Sequence, residues 1–123
     1  MCCTAADRSR TTPERGITRD ANQASSRSDE FFLLDVREHN EYAAGHVPGS
    51  VHIPLRELGA RQAELPTDRT ILCVCRSGSR SGMVVRALAQ AGYSVENLDG
   101  GLQSWEAYGH PLEDVSGEQG MVI

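Results

Sequence analysis

Three stretches of the chain are almost continuously apolar, and they predict the core of a sheet. Residues 31–36 read FFLLDV, residues 69–75 read RTILCVC and residues 93–98 read YSVENL. A short apolar run of this kind is typical of a strand that is buried on both faces, as in a parallel sheet. We predict three core strands here and a shorter strand over 50–53, which Pro54 ends.

Helical patterns alternate with these strands. Apolar residues recur at helical spacing over 79–91, and a second helix over 101–108 places Leu102 and Trp105 on one side. Residues 38–44 and 55–65 predict two more helices, the latter weakened by Gly59. Strands that alternate with helices indicate an α/β domain with a mainly parallel central sheet.

The first thirty residues have few large apolar side chains, which are limited to Met1 and Ile17. Such a segment cannot offset its ordering entropy by burial, so we predict that residues 1–15 form a disordered tail. A short strand at Ile17 and a weak helix capped by Thr18 follow. Because no apolar helix face is visible over 17–30, the packing of this first helix is not predicted.

The charge of the chain limits its partners. All 12 basic residues are arginine, against 17 carboxylates, which gives a net charge of −5. An acidic chain does not attract nucleic acid over long range, so we expect no DNA or RNA partner. No apolar run approaches the ~20 residues of a membrane span, and the first residues lack the apolar core of a signal peptide. We expect a cytoplasmic protein with no membrane partner.

Four cysteines occur, in two close pairs. Neither pair has the spacing or the companion histidines of a zinc site, so we predict no metal and no disulfide. Cys73 lies inside a predicted strand, where a small buried side chain is the simplest interpretation. Cys2 and Cys3 lie on the predicted tail and are interpreted as incidental. Cys75 is left as the candidate reactive thiol.

The segment CRSGSRS, residues 75–81, joins the strand over 69–75 to the helix over 79–91. Ligands of open α/β sheets bind at the carboxyl ends of the strands. Amides at the start of a helix and nearby arginines lower the pKa of a thiol, so we predict that Cys75 is the nucleophile. The candidate anion-binding residues of the loop are Arg76, Ser77, Gly78, Ser79 and Arg80.

Three segments of the chain resemble the rhodanese family of sulfurtransferases: residues 33–55 (LLDVREHNEYAAGHVPGSVHIPL), 71–81 (ILCVCRSGSRS) and 92–112 (GYSVENLDGGLQSWEAYGHPL). The resemblance implies an α/β fold with a mostly parallel, five-stranded sheet and helices on both faces. It implies a rhodanese-like domain over 16–113, and we predict that residues 114–123 form a flexible tail.

The resemblance also implies a reaction, with Cys75 carrying sulfane sulfur as a persulfide. The donor would be a small anion such as thiosulfate and the acceptor a thiol or cyanide, with no cofactor. Two alternatives stay open: an enzyme with its own turnover, or a persulfide carrier or binding module for a protein partner. Related cysteine phosphatases use Cys-x5-Arg, whereas Arg80 gives Cys-x4-Arg here, which favours sulfur over phosphate as the cargo.

Two further residues are predicted to support the site. Asp35 and Arg37 end the first core strand, at the same sheet edge as the loop. The family uses this Asp-Val-Arg mainly for architecture, so we expect the two side chains to pair or to orient loop amides. We interpret His46 as a turn residue rather than a general base, and Trp105 as a core residue.

Overall fold

The structure, a computed structural model, describes residues 17–123. Within this range no helix combines the length and the apolar character that crossing a membrane requires. The predicted disordered tail over 1–15, with Cys2 and Cys3, lies outside the described residues.

Five strands form one sheet in the order β1-β5-β4-β2-β3, and every neighbouring pair runs parallel. The predicted sheet is confirmed, and it is parallel throughout rather than mostly. β4 lies at its centre, between β5 and β2. The strands are β1 (Ile17–Arg19), β2 (Phe31–Asp35), β3 (Val51–His52), β4 (Thr70–Val74) and β5 (Val95–Leu98).

Five α-helices connect or follow the strands. They are α1 (Ala21–Ser26), α2 (His39–Ala44), α3 (Leu58–Arg61), α4 (Ser79–Gln90) and α5 (Gly101–Ala107). The single helix predicted over 55–65 is wrong: two 3-10 turns, Leu55–Glu57 and Gln62–Glu64, flank the four-residue α3. Only Leu58 is buried in α3, and Gly59 lowers helix propensity, so packing does not sustain a longer helix.

The core lies in two layers, one on each face of the sheet. Successive side chains of a strand point to opposite faces, so Leu72 of β4 joins one layer and Ile71 the other. Val84 and Leu88 of α4 pack in the layer of Ile71, whereas Trp105 of α5 packs in the layer of Leu72. Helices on both faces are therefore confirmed.

The first helix begins differently from the prediction. Thr18 belongs to β1, and Asp20 caps α1 instead: its carboxylate accepts from Gln23 N at 2.8 Å, and Gln23 Oε1 accepts from Asp20 N at 3.2 Å. α1 packs through Ala21 and Ala24, both 0% exposed. Two alanines are enough to bury a short helix at close range, which is why no large apolar face was visible in the sequence.

The C-terminal residues lie against the end of α2. Met121 N donates to Ala44 O at 3.0 Å and Val115 N donates to Ala43 O at 3.2 Å. A Cβ on Gly45 would come within 2.4 Å of Met121 N and O, so glycine permits this approach. The predicted domain limits of 16–113, and the flexibility of 114–123, stay predictions, but these backbone contacts connect the C-terminal segment to the helix that carries Glu41.

Candidate active site

The predicted loop lies where a ligand site is expected in this fold. β4 is the central strand, and Cys75 follows its last residue directly at the carboxyl edge of the sheet. Gly78 has φ +104 and caps α4, which begins at Ser79. The chain turns back over Cys75 because glycine tolerates this left-handed backbone.

Hydrogen-bond donors surround the Cys75 sulfur. Gly78 N lies 3.0 Å from Sγ, Ser81 N lies 3.4 Å away and the Ser81 hydroxyl lies 3.3 Å away. Within residues 17–123, no positively charged side chain donates a hydrogen bond to the sulfur. The thiolate is therefore stabilised by amide and hydroxyl dipoles of the loop and of the first turn of α4.

Two opposing effects determine the pKa of the Cys75 thiol. Burial raises it, because Cys75 is 0% exposed and a thiolate is costly to desolvate. Hydrogen bonds from Ser81, Gly78 and Ser77 lower it, and together they outweigh burial, so the pKa lies below its usual value. Burial raises the pKa of Cys73 to about 12, and the neighbouring Cys75 adds to this effect. Of these two thiols, Cys75 is therefore the one with the lower pKa.

The first turn of α5 fixes the loop from the opposite side. Leu102 N donates to Cys75 O at 2.8 Å and Gln103 N donates to Arg76 O at 2.9 Å. Gly101 makes this possible: its φ is +61, and a Cβ there would lie 2.5 Å from Arg76 O. Gly101 is thus a site residue that we did not predict.

Ser81 and Asn97 form a second unpredicted part of the site. Ser81 Oγ lies 2.5 Å from Asn97 Oδ1, and Asn97 Nδ2 donates to Gly78 O at 3.2 Å. Asn97 thereby holds two of the groups that surround the sulfur. The available signal was its position near the carboxyl end of β5, the strand beside β4.

The two loop arginines have different surroundings. Arg80 Nη1 and Nη2 donate to Glu41 Oε1 and Oε2 at 2.8 and 2.9 Å, a bidentate ion pair. Arg76 is exposed, and its guanidinium has no carboxylate partner within residues 17–123. We predicted that Arg80 binds the donor anion, whereas its guanidinium binds Glu41 of α2, a residue that sequence reasoning missed.

Asp35 and Arg37 form a fully buried pair beneath this edge. Arg37 Nη2 donates to Asp35 Oδ2 at 2.7 Å and to Gly45 O at 2.8 Å. Neither side chain forms a hydrogen bond with residues 75–81 in the part of the chain that the structure describes. The two residues pair as predicted, and they tie β2 to the end of α2 rather than to the sulfur.

The remaining predicted residues lie at the surface. Ser77 and Ser79 are exposed, and Ser77 contributes its backbone amide to the Cys75 thiolate. No cluster of three His, Cys, Asp or Glu side chains suited to a metal ion occurs between residues 17 and 123. The chemistry available here is that of a stabilised thiolate.

This loop, set at the centre of a five-stranded parallel sheet, matches a known family. A model of the rhodanese-like domain matches residues 18–108. The chain belongs to the rhodanese-like family. The resemblance noted in the sequence is thereby confirmed, and it extends over most of the described residues.

Two individual relatives are similar to this chain. The rhodanese-like chain is 36% identical over 83 residues to a putative sulfurtransferase of Bacillus subtilis, covering 68% of this chain and 81% of that protein. It is 42% identical over 106 residues to an HTH-type transcriptional regulator of Mycobacterium tuberculosis, covering 84% of this chain but 46% of the regulator. The chain thus spans less than half of that relative.

A solved structure confirms the fold. The crystal structure of a rhodanese-related protein from Thermoplasma volcanium superimposes with a TM-score of 0.76 at 31% identity, over 78% of this chain and 96% of that one. The rhodanese-like fold is therefore shown by the family model, by sequence and by structure.

Proposed function

We propose that this rhodanese-like domain is a sulfurtransferase that carries sulfane sulfur on Cys75. The observation that supports this most is the Cys75 sulfur itself, which receives hydrogen bonds from Gly78 and Ser81 and has a lowered pKa. Nucleophilic sulfur transfer needs a thiolate, and a pKa below the usual value increases the thiolate fraction at neutral pH. The relationship to a putative sulfurtransferase supports the same class of reaction.

In the first step the Cys75 thiolate attacks the outer sulfur of a donor such as thiosulfate. The S–S bond of thiosulfate breaks, its electron pair leaves with sulfite, and a new S–S bond forms on Cys75. One thiolate and one dianion become one persulfide anion and one sulfite dianion, so charge and electrons balance. The amides around the loop would stabilise the persulfide anion as they do the thiolate.

In the second step an acceptor removes the terminal sulfur. Cyanide attacks this sulfur and leaves as thiocyanate, or an acceptor thiolate attacks it and leaves as a new persulfide. In both cases the S–S bond to Cys75 breaks and Cys75 returns to a thiolate. Neither step consumes a proton or an oxidant, and neither uses a metal or an organic cofactor. Since Cys75 is 0% exposed, the loop side chains must move aside for each reactant to reach the sulfur.

A second candidate function is a persulfide carrier or binding module with little turnover of its own. It is supported by the similarity to a transcriptional regulator of which this chain spans 46%. In that role a protein partner, rather than a small thiol, would take the sulfur from Cys75. The cytoplasmic location expected from the sequence suits both candidates and stays a prediction.

A turnover assay with thiosulfate and either cyanide or glutathione tests the proposal. We expect the wild type to release sulfite repeatedly and Cys75→Ser to release none above the uncatalysed rate. A single burst of one sulfite per protein, followed by negligible turnover, would support the carrier instead. Equal activity of the wild type and Cys75→Ser would contradict both candidates.

A further inference from the structure

One of the two loop cations already has an anion bound to it. The Arg80 guanidinium faces the Glu41 carboxylate with both nitrogens, at 2.8 and 2.9 Å. The Arg80 and Glu41 side chains are 31% and 14% exposed, so solvent screens this pair only in part. A planar guanidinium with two carboxylate oxygens on its fork has few free donors on that edge for a substrate anion.

The Glu41 charge is permanent at any working pH. Arg80 is the main reason that the pKa of Glu41 falls to about 2, and the Glu38 backbone amide adds to the effect. Glu38 N donates to Glu41 Oε1 at 2.9 Å, which fixes the carboxylate at the start of α2. The carboxylate is therefore held in place by its own helix as well as by Arg80.

Two further ion pairs involve the residues just before α2, whereas one loop cation has no carboxylate partner. Arg37 is neutralised by Asp35, and Glu38 pairs with Arg56. Within residues 17–123, Arg76 is the loop cation that no carboxylate approaches within ion-pair distance. With the Cys75 thiolate present, the charges of the four groups Cys75, Arg76, Arg80 and Glu41 therefore sum to zero.

We propose that Glu41 is a specificity-determining residue that makes the site favour monoanionic sulfane-sulfur donors over dianionic ones. This inference rests on the proposed sulfur transfer to Cys75. A dianion such as thiosulfate must approach a thiolate while Arg80 is occupied by Glu41, leaving Arg76 as its partner. A monoanion matches the single charge that Arg76 can offer, and the persulfide product on Cys75 is itself a monoanion.

Two donors with the same transferred sulfur and different charge test the inference. Thiosulfate carries two negative charges, and the methanethiosulfonate anion, CH3SO2S⁻, carries one. Attack of the Cys75 thiolate on methanethiosulfonate breaks its S–S bond and releases methanesulfinate, again leaving a persulfide. Rapid quench and intact mass spectrometry measure the rate constant of persulfide formation with each donor. For each variant, the rate constant with thiosulfate is divided by the rate constant with methanethiosulfonate to give one ratio.

Glu41→Gln is expected to raise this ratio, because it frees Arg80 from a charged partner while keeping a similar shape. The variant removes one negative charge ~8 Å from the second negative charge of thiosulfate, which methanethiosulfonate lacks. Coulomb's law then predicts that the ratio rises about 2- to 30-fold, for effective dielectric constants from ~80 to ~20. Comparing ratios cancels the intrinsic reactivity of the donors. Glu64→Gln is the matched control: it also removes a carboxylate paired with an arginine, Arg61, but away from the loop, and its ratio should equal that of the wild type.

Arg80→Gln gives a second and independent comparison. It leaves the Glu41 charge unpaired beside the loop, so the ratio should fall below that of the wild type. Adding Glu41→Gln to Arg80→Gln should raise the ratio again, to within about twofold of the wild type, because the local net charge is then restored. This comparison carries the test even if Glu41→Gln alone does not fold.

The outcomes separate this inference from the proposed function. The role of Glu41 would be overturned if Glu41→Gln left the ratio unchanged both in the wild type and in the Arg80→Gln background. The proposed sulfur transfer to Cys75 would still stand in that case. An equal rise in Glu64→Gln would overturn the role of Glu41 too, since the effect would then be one of net charge. Absence of persulfide with both donors in the wild type would instead overturn the proposed function.

Discussion

The hydroxyl of Ser81 should lower the pKa of the Cys75 thiol, and Ser81→Ala removes this hydroxyl while leaving the backbone donors in place. Ser81 is 0% exposed, and its Oγ lies 3.3 Å from Sγ. The substitution keeps the Ser81 amide at 3.4 Å and the Gly78 amide at 3.0 Å from the sulfur. A donor stabilises the thiolate more than the thiol, so its removal must raise the pKa.

The size of this change follows from how the Ser81 proton is shared. A hydrogen bond to a charged group contributes about 1.5–3 kcal/mol, and one pKa unit corresponds to about 1.4 kcal/mol. Ser81 Oγ also lies 2.5 Å from Asn97 Oδ1 and 3.3 Å from Gly78 O, so its one proton is shared among three acceptors. We therefore take the lower end of the range and expect the pKa of Cys75 to rise by about 1 unit, which lowers the thiolate fraction below the pKa about tenfold.

The rate of alkylation by iodoacetamide as a function of pH measures this pKa, in a background of Cys2→Ser and Cys3→Ser. The matched control is Ser79→Ala, whose exposed hydroxyl makes no hydrogen bond to the sulfur in the described part of the chain. Its alkylation profile should overlay that of the parent. An unchanged profile in Ser81→Ala, or an equal shift in Ser79→Ala, would refute the hydrogen-bond account of Cys75.

Three further predictions concern stability, each measured by chemical denaturation. Glu41→Gln should lower the free energy of unfolding by about 1–3 kcal/mol at pH 7. Because folding lowers the pKa of Glu41 from 4.5 to about 2, the full difference should be present above pH 4.5 and should disappear as the pH falls towards 2. Gly101→Ala, whose Cβ would lie 2.5 Å from Arg76 O, should lose about 2–4 kcal/mol. Gly109→Ala, also at positive φ but with no atom within 4 Å, should lose at least about 1 kcal/mol less. The Trp105 side chain is 2% exposed, so Trp105→Ala should lower the free energy of unfolding by about 3–5 kcal/mol. Equal losses for the two glycine variants, or a Trp105→Ala variant as stable as the wild type, would contradict the packing described.

The sheet could be predicted because its core strands carry a strong local signal. The runs that became β2, β4 and β5 are buried on both faces, and such strands read as continuous apolar segments. Where burial is slight the local signal failed: α3 buries only Leu58, and a regular helix over 55–65 did not form. α1 was underestimated for the opposite reason, since two alanines bury it without a visible apolar face.

The site was predictable only as far as one loop contains it. Cys75 and Gly78 lie three positions apart in one loop, and the strand-to-helix junction indicated their chemistry. Glu41, Asn97 and Gly101 reach the loop from α2, β5 and α5, and tertiary packing alone brings them there. Charge along the chain could not show that Arg80 binds Glu41, because the two residues are 39 positions apart.

The central claim is that Cys75 accepts a sulfur atom, and intact mass spectrometry after exposure to a sulfane-sulfur donor tests it most directly. We expect the wild type to gain ~32 Da, one sulfur atom, and to lose it again on addition of cyanide. Cys73→Ala should behave as the wild type, because burial raises the pKa of Cys73 to about 12 and its thiol does not react. No gain in the wild type, or a gain that persists in Cys75→Ser, would contradict the account.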